Sequence, residues 1–340
     1  MSEYITPNRA QNAAASDEAR ALLLKGGELE RAGKVEEAVE VLLRAQGMVA
    51  GHDHQPLTAD LLYRTAVLRT RLGQTDQADE LFHQSLEAAT WCDYVRGQAW
   101  AVNGLAIVAQ RRGDTELAES QFRRARRLAR EASDHRLLGI LEMNLGVVAN
   151  IRGDLDSALV HYENALTSYS KTDDSEGTCW ALNNVGMLQT DLRRFEAADQ
   201  TLTRGLKLAK KIGDRVMEGM LEVNRVEALI GLTRWRRARQ GCSRAIKIAE
   251  ARGDRLQHAQ ALKFLGIINR EQAKFGDAVA TFDQASALAE QVDDCLLGAE
   301  VVRELGETLM QMGEVAQARV AFGNALQKFV QVDAVLDAAD

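Results

Sequence analysis

Alanine returns every 40 residues along this chain, at Ala38, Ala78, Ala118, Ala158, Ala198, Ala238, Ala278 and Ala318. Four residues after each stands Leu42, Phe82, Phe122, Tyr162, Leu202, Cys242, Phe282 or Phe322, a slot that is large in every copy but the sixth. Seven residues after the alanine comes a small side chain: Ala45, Ser85, Ala125, Ala165, Gly205, Ala245, Ala285 or Ala325. Spacings of four and seven share one helical face, so each alanine opens the buried stripe of a helix. Twelve residues upstream lies another small residue (Gly26, Ala66, Ala106, Gly146, Gly186, Gly266, Gly306), with Val226 the exception. A small side chain there lets a first helix approach its partner closely.

The turn between the two helices falls five residues before the anchor, with glycine at Gly33, Gly73, Gly113, Gly153 and Gly313. Glycine accepts the left-handed conformation that closes a helix. A second 40-residue ladder, Asp134, Asp174, Asp214, Asp254 and Asp294, precedes each new helix, where a carboxylate caps free backbone N–H groups. The pattern predicts helix A, turn, helix B, turn, eight times over residues 17–332. No such pair closes its own core, and stacking buries a continuous one. Residues 1–16 are expected to form a loosely held tail. Residues 333–340 echo the segment from Asp293 to Glu300 and are expected to form a partial ninth helix or a cap.

Composition narrows the classes. Two prolines, where average usage of ~5% would give roughly 17, argue against a strand-and-turn architecture. A net charge of −7 argues against a general nucleic-acid binder. No apolar run of ~18 residues offers a membrane span. Four scattered cysteines and no apolar leader point to a reducing, cytoplasmic setting.

The small-residue pairs, anchor alanine, large residue four later and small residue seven later resemble the tetratricopeptide repeat. The 40-residue period, with L-G in helix A, is similar to the longer repeats of Pins-type adaptors and kinesin light chains. The resemblance implies an all-α, right-handed α-solenoid whose helices A line a concave groove.

Helix A carries a second stripe opposite its core stripe. In repeats three to six it is apolar or amide-bearing: Trp100, Asn103, Gly104, Ile107; Ile140, Met143, Asn144, Val147; Trp180, Asn183, Asn184, Met187; Met220, Val223, Asn224, Glu227. A helix apolar on two faces has a second surface to cover. Asn144, Asn184 and Asn224 recur at 40-residue steps, and a carboxamide supplies both the donor and the acceptor that grip a peptide backbone. The resemblance agrees for Asn144 (M-N-L-G) and Asn184 (N-N-V-G), since asparagines before L-G hold peptide in those relatives; Asn224 matches loosely. Their second asparagine, after L-G, is replaced here by Ile107, Val147, Met187 or Ile267, which favours a more apolar ligand. The competing reading is that the asparagines tie neighbouring helices together. The lysine-rich clamp for acidic C-termini is not reproduced: Lys263 is surrounded by Phe264, Ile267 and Glu304.

Catalytic signatures are missing. Gly33-Lys34 runs into Val35, and Glu28 stands where a phosphate loop needs glycine. His52-Asp53-His54 offers metal ligands without an evident third, and the Arg-Gly-Asp triplets at Arg112, Arg152 and Arg252 fall at helix turns. Arginine runs on helices B (Arg123 to Arg130, Arg234 to Arg244) read as a solvated convex face. The last helix carries only Arg319 and Lys328 as charges over residues 316–332, which marks it for self-association. The expectation is a non-enzymatic protein-interaction module without cofactor or metal, binding a partner's peptide in the groove. A self-assembling scaffold joined through the C-terminal helix, or a peptide-sensing regulator, are the alternatives.

Overall fold

The computed structural model describes residues 9–49 and 56–337, and every regular element among them is helical. The chain divides into two compact units, Met1–Arg152 and Gly153–Asp340. The first holds α1 (Arg9–Arg31), α2 (Val35–Val49), α3 (Pro56–Arg71), α4 (Thr75–Trp91), α5 (Val95–Arg111), α6 (Thr115–Glu131) and α7 (His135–Ile151). The second holds α8 (Leu155–Tyr169), α9 (Ser175–Asp191), α10 (Phe195–Ile212), α11 (Arg215–Gly231), α12 (Trp235–Arg252), α13 (Arg255–Glu271), α14 (Phe275–Gln291), α15 (Cys295–Gln311) and α16 (Val315–Asp337). Odd-numbered helices are helices A and even-numbered ones helices B.

All eight anchor alanines are completely buried. The large residues four later fill the space between consecutive helices A, and Phe82, Phe122 and Phe282 are at most 2% exposed. The small residues facing them leave no room for a side chain. A Cβ on Gly266 would lie 2.5 Å from the Phe282 ring, and one on Gly186 would lie 2.4 Å from Leu202 Cγ. Repeat six reverses this fit. Val226 stands where glycine or alanine stands elsewhere, and Gly241 and Cys242 on α12 give it space; a Cβ on Gly241 would be 2.6 Å from Val226 Cγ2.

Most turns close one helix and open the next within three residues. At the first type, Asp114 N–H bonds back to the Ala109 carbonyl (3.0 Å) while its carboxylate accepts from Leu117 N–H (2.9 Å). The aspartate ladder does the same between repeats: Asp134, Asp174, Asp214, Asp254 and Asp294 each accept the N–H three residues on, at 2.8–3.0 Å. The left-handed residue is present even where glycine is not. Arg193, Thr233 and Ala273 adopt φ of 56°, 54° and 56° because packing of both flanking helices dictates the turn. A β-branched residue there is strained. Thr233→Gly is therefore expected to raise stability by about 0.5–1 kcal/mol, the relieved strain exceeding the added chain entropy of the unfolded state. A lower midpoint in chemical denaturation would contradict it.

Several arginines within and beside the two runs are matched by acids on neighbouring helices. Arg112 reaches Asp79 (2.7 Å) and Asp76 (2.8 Å), Arg152 pairs with Glu119, and Arg126 and Arg130 reach buried Glu142. Arg225, Arg234 and Arg237 converge on Asp199 at 2.7, 3.1 and 3.5 Å.

Both chain ends depart from expectation. Helix α1 opens at Arg9, inside the segment expected to be a tail, since the Ala13-Ala14-Ala15 run propagates helix upstream; residues 1–8 lie outside the described residues. Among the described residues α16 continues without a break to Asp337, through the segment expected to form a partial ninth helix or a cap. The capping position of the aspartate ladder is Ala334 there, so nothing local stops the helix.

Candidate functional site

The second stripe of helix A is divided between the two units. In the first it comprises Trp100, Asn103 and Ile107 on α5 with Met143, Asn144 and Val147 on α7. In the second it comprises Trp180, Asn183, Asn184 and Met187 on α9 with Val223 and Asn224 on α11.

The asparagines bond to one another, in rungs that step 41 residues. Asn144 Nδ2 donates to Asn103 Oδ1 at 3.3 Å, and Asn224 Nδ2 donates to Asn183 Oδ1 at 2.7 Å. The two acceptors are 2% exposed. Asn183 completes its own bonding by donating to Asn184 Oδ1 (3.4 Å) and Met187 Sδ (3.3 Å). Asn103 and Asn183 are thus interior residues that tie adjacent helices A, as buried carboxamides must. Asn144, Asn184 and Asn224 remain half-buried at the surface. Asn184 keeps its Nδ2 group and Asn224 its Oδ1 outside these rungs, one a donor and the other an acceptor.

Trp100 is anchored. Its Nε1 donates to Asp134 Oδ2 at 3.0 Å, and Arg96 Nε donates to the same oxygen at 2.8 Å. Its ring stands edge-on to Tyr63, 5.5 Å between centroids. Burial alone would push the Asp134 carboxyl up, but the Leu137 amide, Arg96 and Trp100 outweigh it and hold the group below the usual carboxylate range. Trp100 therefore helps to fasten the start of α7. Ile107, Met143 and Val147 are half-buried, and Ile107 packs on the core formed by α5, α6 and α7.

In the second unit the apolar residues stand clear. Trp180 is 39% and Met187 44% exposed, seven residues apart on one face of α9. Val223, by contrast, is buried in the core with Val226 and Phe264. Glu227 lies one turn beyond Asn224; burial raises its carboxyl, Lys263 lowers it, and Asp191 and Glu300 raise it further. Asp191, at the end of α9, is also raised by burial. Asp191 escaped the sequence reading because it lies one turn beyond the offsets that define the stripe. Lys263 pairs with Glu300 at 2.6 Å and sits 4.9 Å above the Phe264 ring, so it is not available to clamp a carboxylate.

Residues 137–211 match the tetratricopeptide repeat family. This segment is made of tetratricopeptide repeats (TPR), and the same helix pair recurs through the described residues. Among curated proteins, Regulatory protein AfsR of Streptomyces griseus is 26% identical over 246 residues, which is 72% of this chain and 24% of AfsR. The chain thus spans about a quarter of the length of that relative. Among solved structures, the apo form of RapI superposes with a TM-score of 0.70 at 13% identity, over 93% of this chain and 98% of RapI. A Rap protein complexed with competence and sporulation factor gives 0.58 at 15% identity, over 95% of both chains. At such identities the likeness is one of fold: a helical TPR-like solenoid.

Among the described residues, no group of three His, Cys, Asp or Glu is placed to hold a metal ion. The His52-Asp53-His54 segment lies outside the described residues. No described helix is long and apolar enough to cross a membrane. Cys179 and Cys242 are buried thiols pushed up to about 11 and about 12, which keeps them neutral core residues.

Proposed function

We propose that this protein is a non-enzymatic protein-interaction module that takes a peptide segment of a partner along helices α9 and α11. The observation that carries the reading is the exposure of Trp180 and Met187 beside the Asn184 donor and the Asn224 acceptor. Large apolar side chains beside amide groups not used in the helix-to-helix rungs suit an extended peptide, with pockets for its side chains and partners for its backbone. Methionine adapts to differing apolar surfaces. The Rap protein of similar fold that is complexed with competence and sporulation factor supports the reading. Similarity to Regulatory protein AfsR favours a regulatory setting for such binding.

Trp100, Asn103, Ile107, Met143, Asn144 and Val147 form the corresponding stripe of the first unit. Trp100 and Asn103 are committed there to Asp134 and Asn144, so their contribution is to hold helices in place.

Trp180→Ala is expected to weaken capture of a partner by tenfold or more, the loss of a central aromatic anchor costing about 2 kcal/mol. Affinity capture from source-cell lysate, with folding followed by circular dichroism, makes the comparison. Equal recovery by the wild type and a folded Trp180→Ala/Met187→Ala variant, with binding that salt alone abolishes, would remove this face as the site.

A further inference from the structure

The outer side of α16 differs from every other helix B. In the preceding copies the residue four after the anchor is hidden by the next helix A: Phe82 is 2% exposed, Phe122 and Phe282 are fully buried. Phe322 holds the same place and is 36% exposed. Leu326 and Val330 continue its stripe at 65% and 58%, and Val315 begins it. Arg319 is the one charge on this stripe between residues 315 and 332, and its long stem lets the guanidinium remain in water.

We propose that two copies of this chain pair tail to tail, with α16 of one copy lying against α16 of the other through Phe322, Leu326 and Val330. The stripe continues the repeat-to-repeat interface of the second unit, so its complement is an apolar helical face. On α1, at the chain's opposite end, the exposed apolar residues Ala21 and Leu24 stand among charges. Leu57, Leu68, Leu137 and Leu188 are buried on internal helices A, whereas the matching places on α1 hold exposed Asp17 and Glu28, with exposed Ala21, Leu24 and Lys25 between them. A head-to-tail contact would press those charges onto Phe322 and Leu326 and strand them from water. The face of α16 on a second copy brings only Arg319, whose guanidinium stays in water at the end of its stem. A two-fold contact also counts each apolar residue twice and closes at the dimer. The pairing is independent of any peptide bound on α9 and α11.

Light scattering on the 340-residue chain, over concentrations into the high-micromolar range, tests the pairing. The expected mass levels off at twice the 37.4 kDa of one chain. The variant Leu326→Glu/Val330→Glu alters two side chains that are already exposed, so its circular dichroism should match the wild type while its dimer is roughly a hundredfold weaker. A monomeric wild type would overturn the proposal. So would masses that climb past the dimer with concentration, the mark of an open head-to-tail contact, or a Glu variant that pairs as well as the wild type.

Discussion

Phe122→Ala is expected to cost the first unit about 3–5 kcal/mol. The ring is fully buried among Ala106, Ala118, Ala125, Leu141 and Leu145, contributed by α5, α6 and α7. Its removal forfeits the burial of an aromatic side chain and leaves a cavity that three packed helices cannot collapse. Each repeat touches only its neighbours, so the damage should concentrate in α5–α7. Hydrogen exchange would show protection falling there before it falls in α1 and α2. Phe322→Ala provides the control: the register is the same but the ring is 36% exposed, and the expected cost in the monomer is about 1–2 kcal/mol. Equal losses at the two positions would mean that cover by the next helix A is not what makes the slot valuable.

The second large effect lies in repeat six, where the shapes of the two helices are exchanged. Cys242→Phe should destabilise by about 3 kcal/mol, because the ring must enter space already filled by Val226. Val226→Gly should lose a similar amount, about 3 kcal/mol, through a cavity and a glycine placed within a helix. The double variant recreates the pairing of Gly266 with Phe282. It should be more stable than the sum of the single changes implies, by at least about 2 kcal/mol. Denaturation of all four proteins gives the coupling directly; additive losses would show that Val226 and Cys242 do not share one space.

The fate of the candidate residues follows their place on the helix. Trp180 and Met187, on the outermost line of α9, are as exposed as the stripe predicts. Asn103, Asn183 and Val223 lie about 60° away around the helix, on the shoulder where helices A meet, and are buried there. The four offsets of the stripe together span about 100° of the helix, so a stripe written from spacing alone includes both kinds. The asparagine repeat was legible, but not its use. Asn144 and Asn224 each reach the helix before their own, which makes part of the ladder a structural tie as well as a surface. Trp100 likewise reads as a free aromatic until the Asp134 cap of the next helix comes within reach of its indole N–H.

Periodicity is sufficient for the element order, the pairing of helices and the buried anchors, because every copy repeats one local code and the core needs only that code to close. The aspartate caps were equally readable, since each acts on an N–H three residues away. Packing decides the rest. It holds Arg193, Thr233 and Ala273 in a glycine's conformation, exchanges Val226 and Cys242 for a glycine and a phenylalanine, and sorts tryptophans and asparagines into tied and exposed ones. It also leaves α16 with an uncovered face. Those outcomes depend on residues about 15–40 positions apart arriving at one point, and local spacing carries no record of which of them meet.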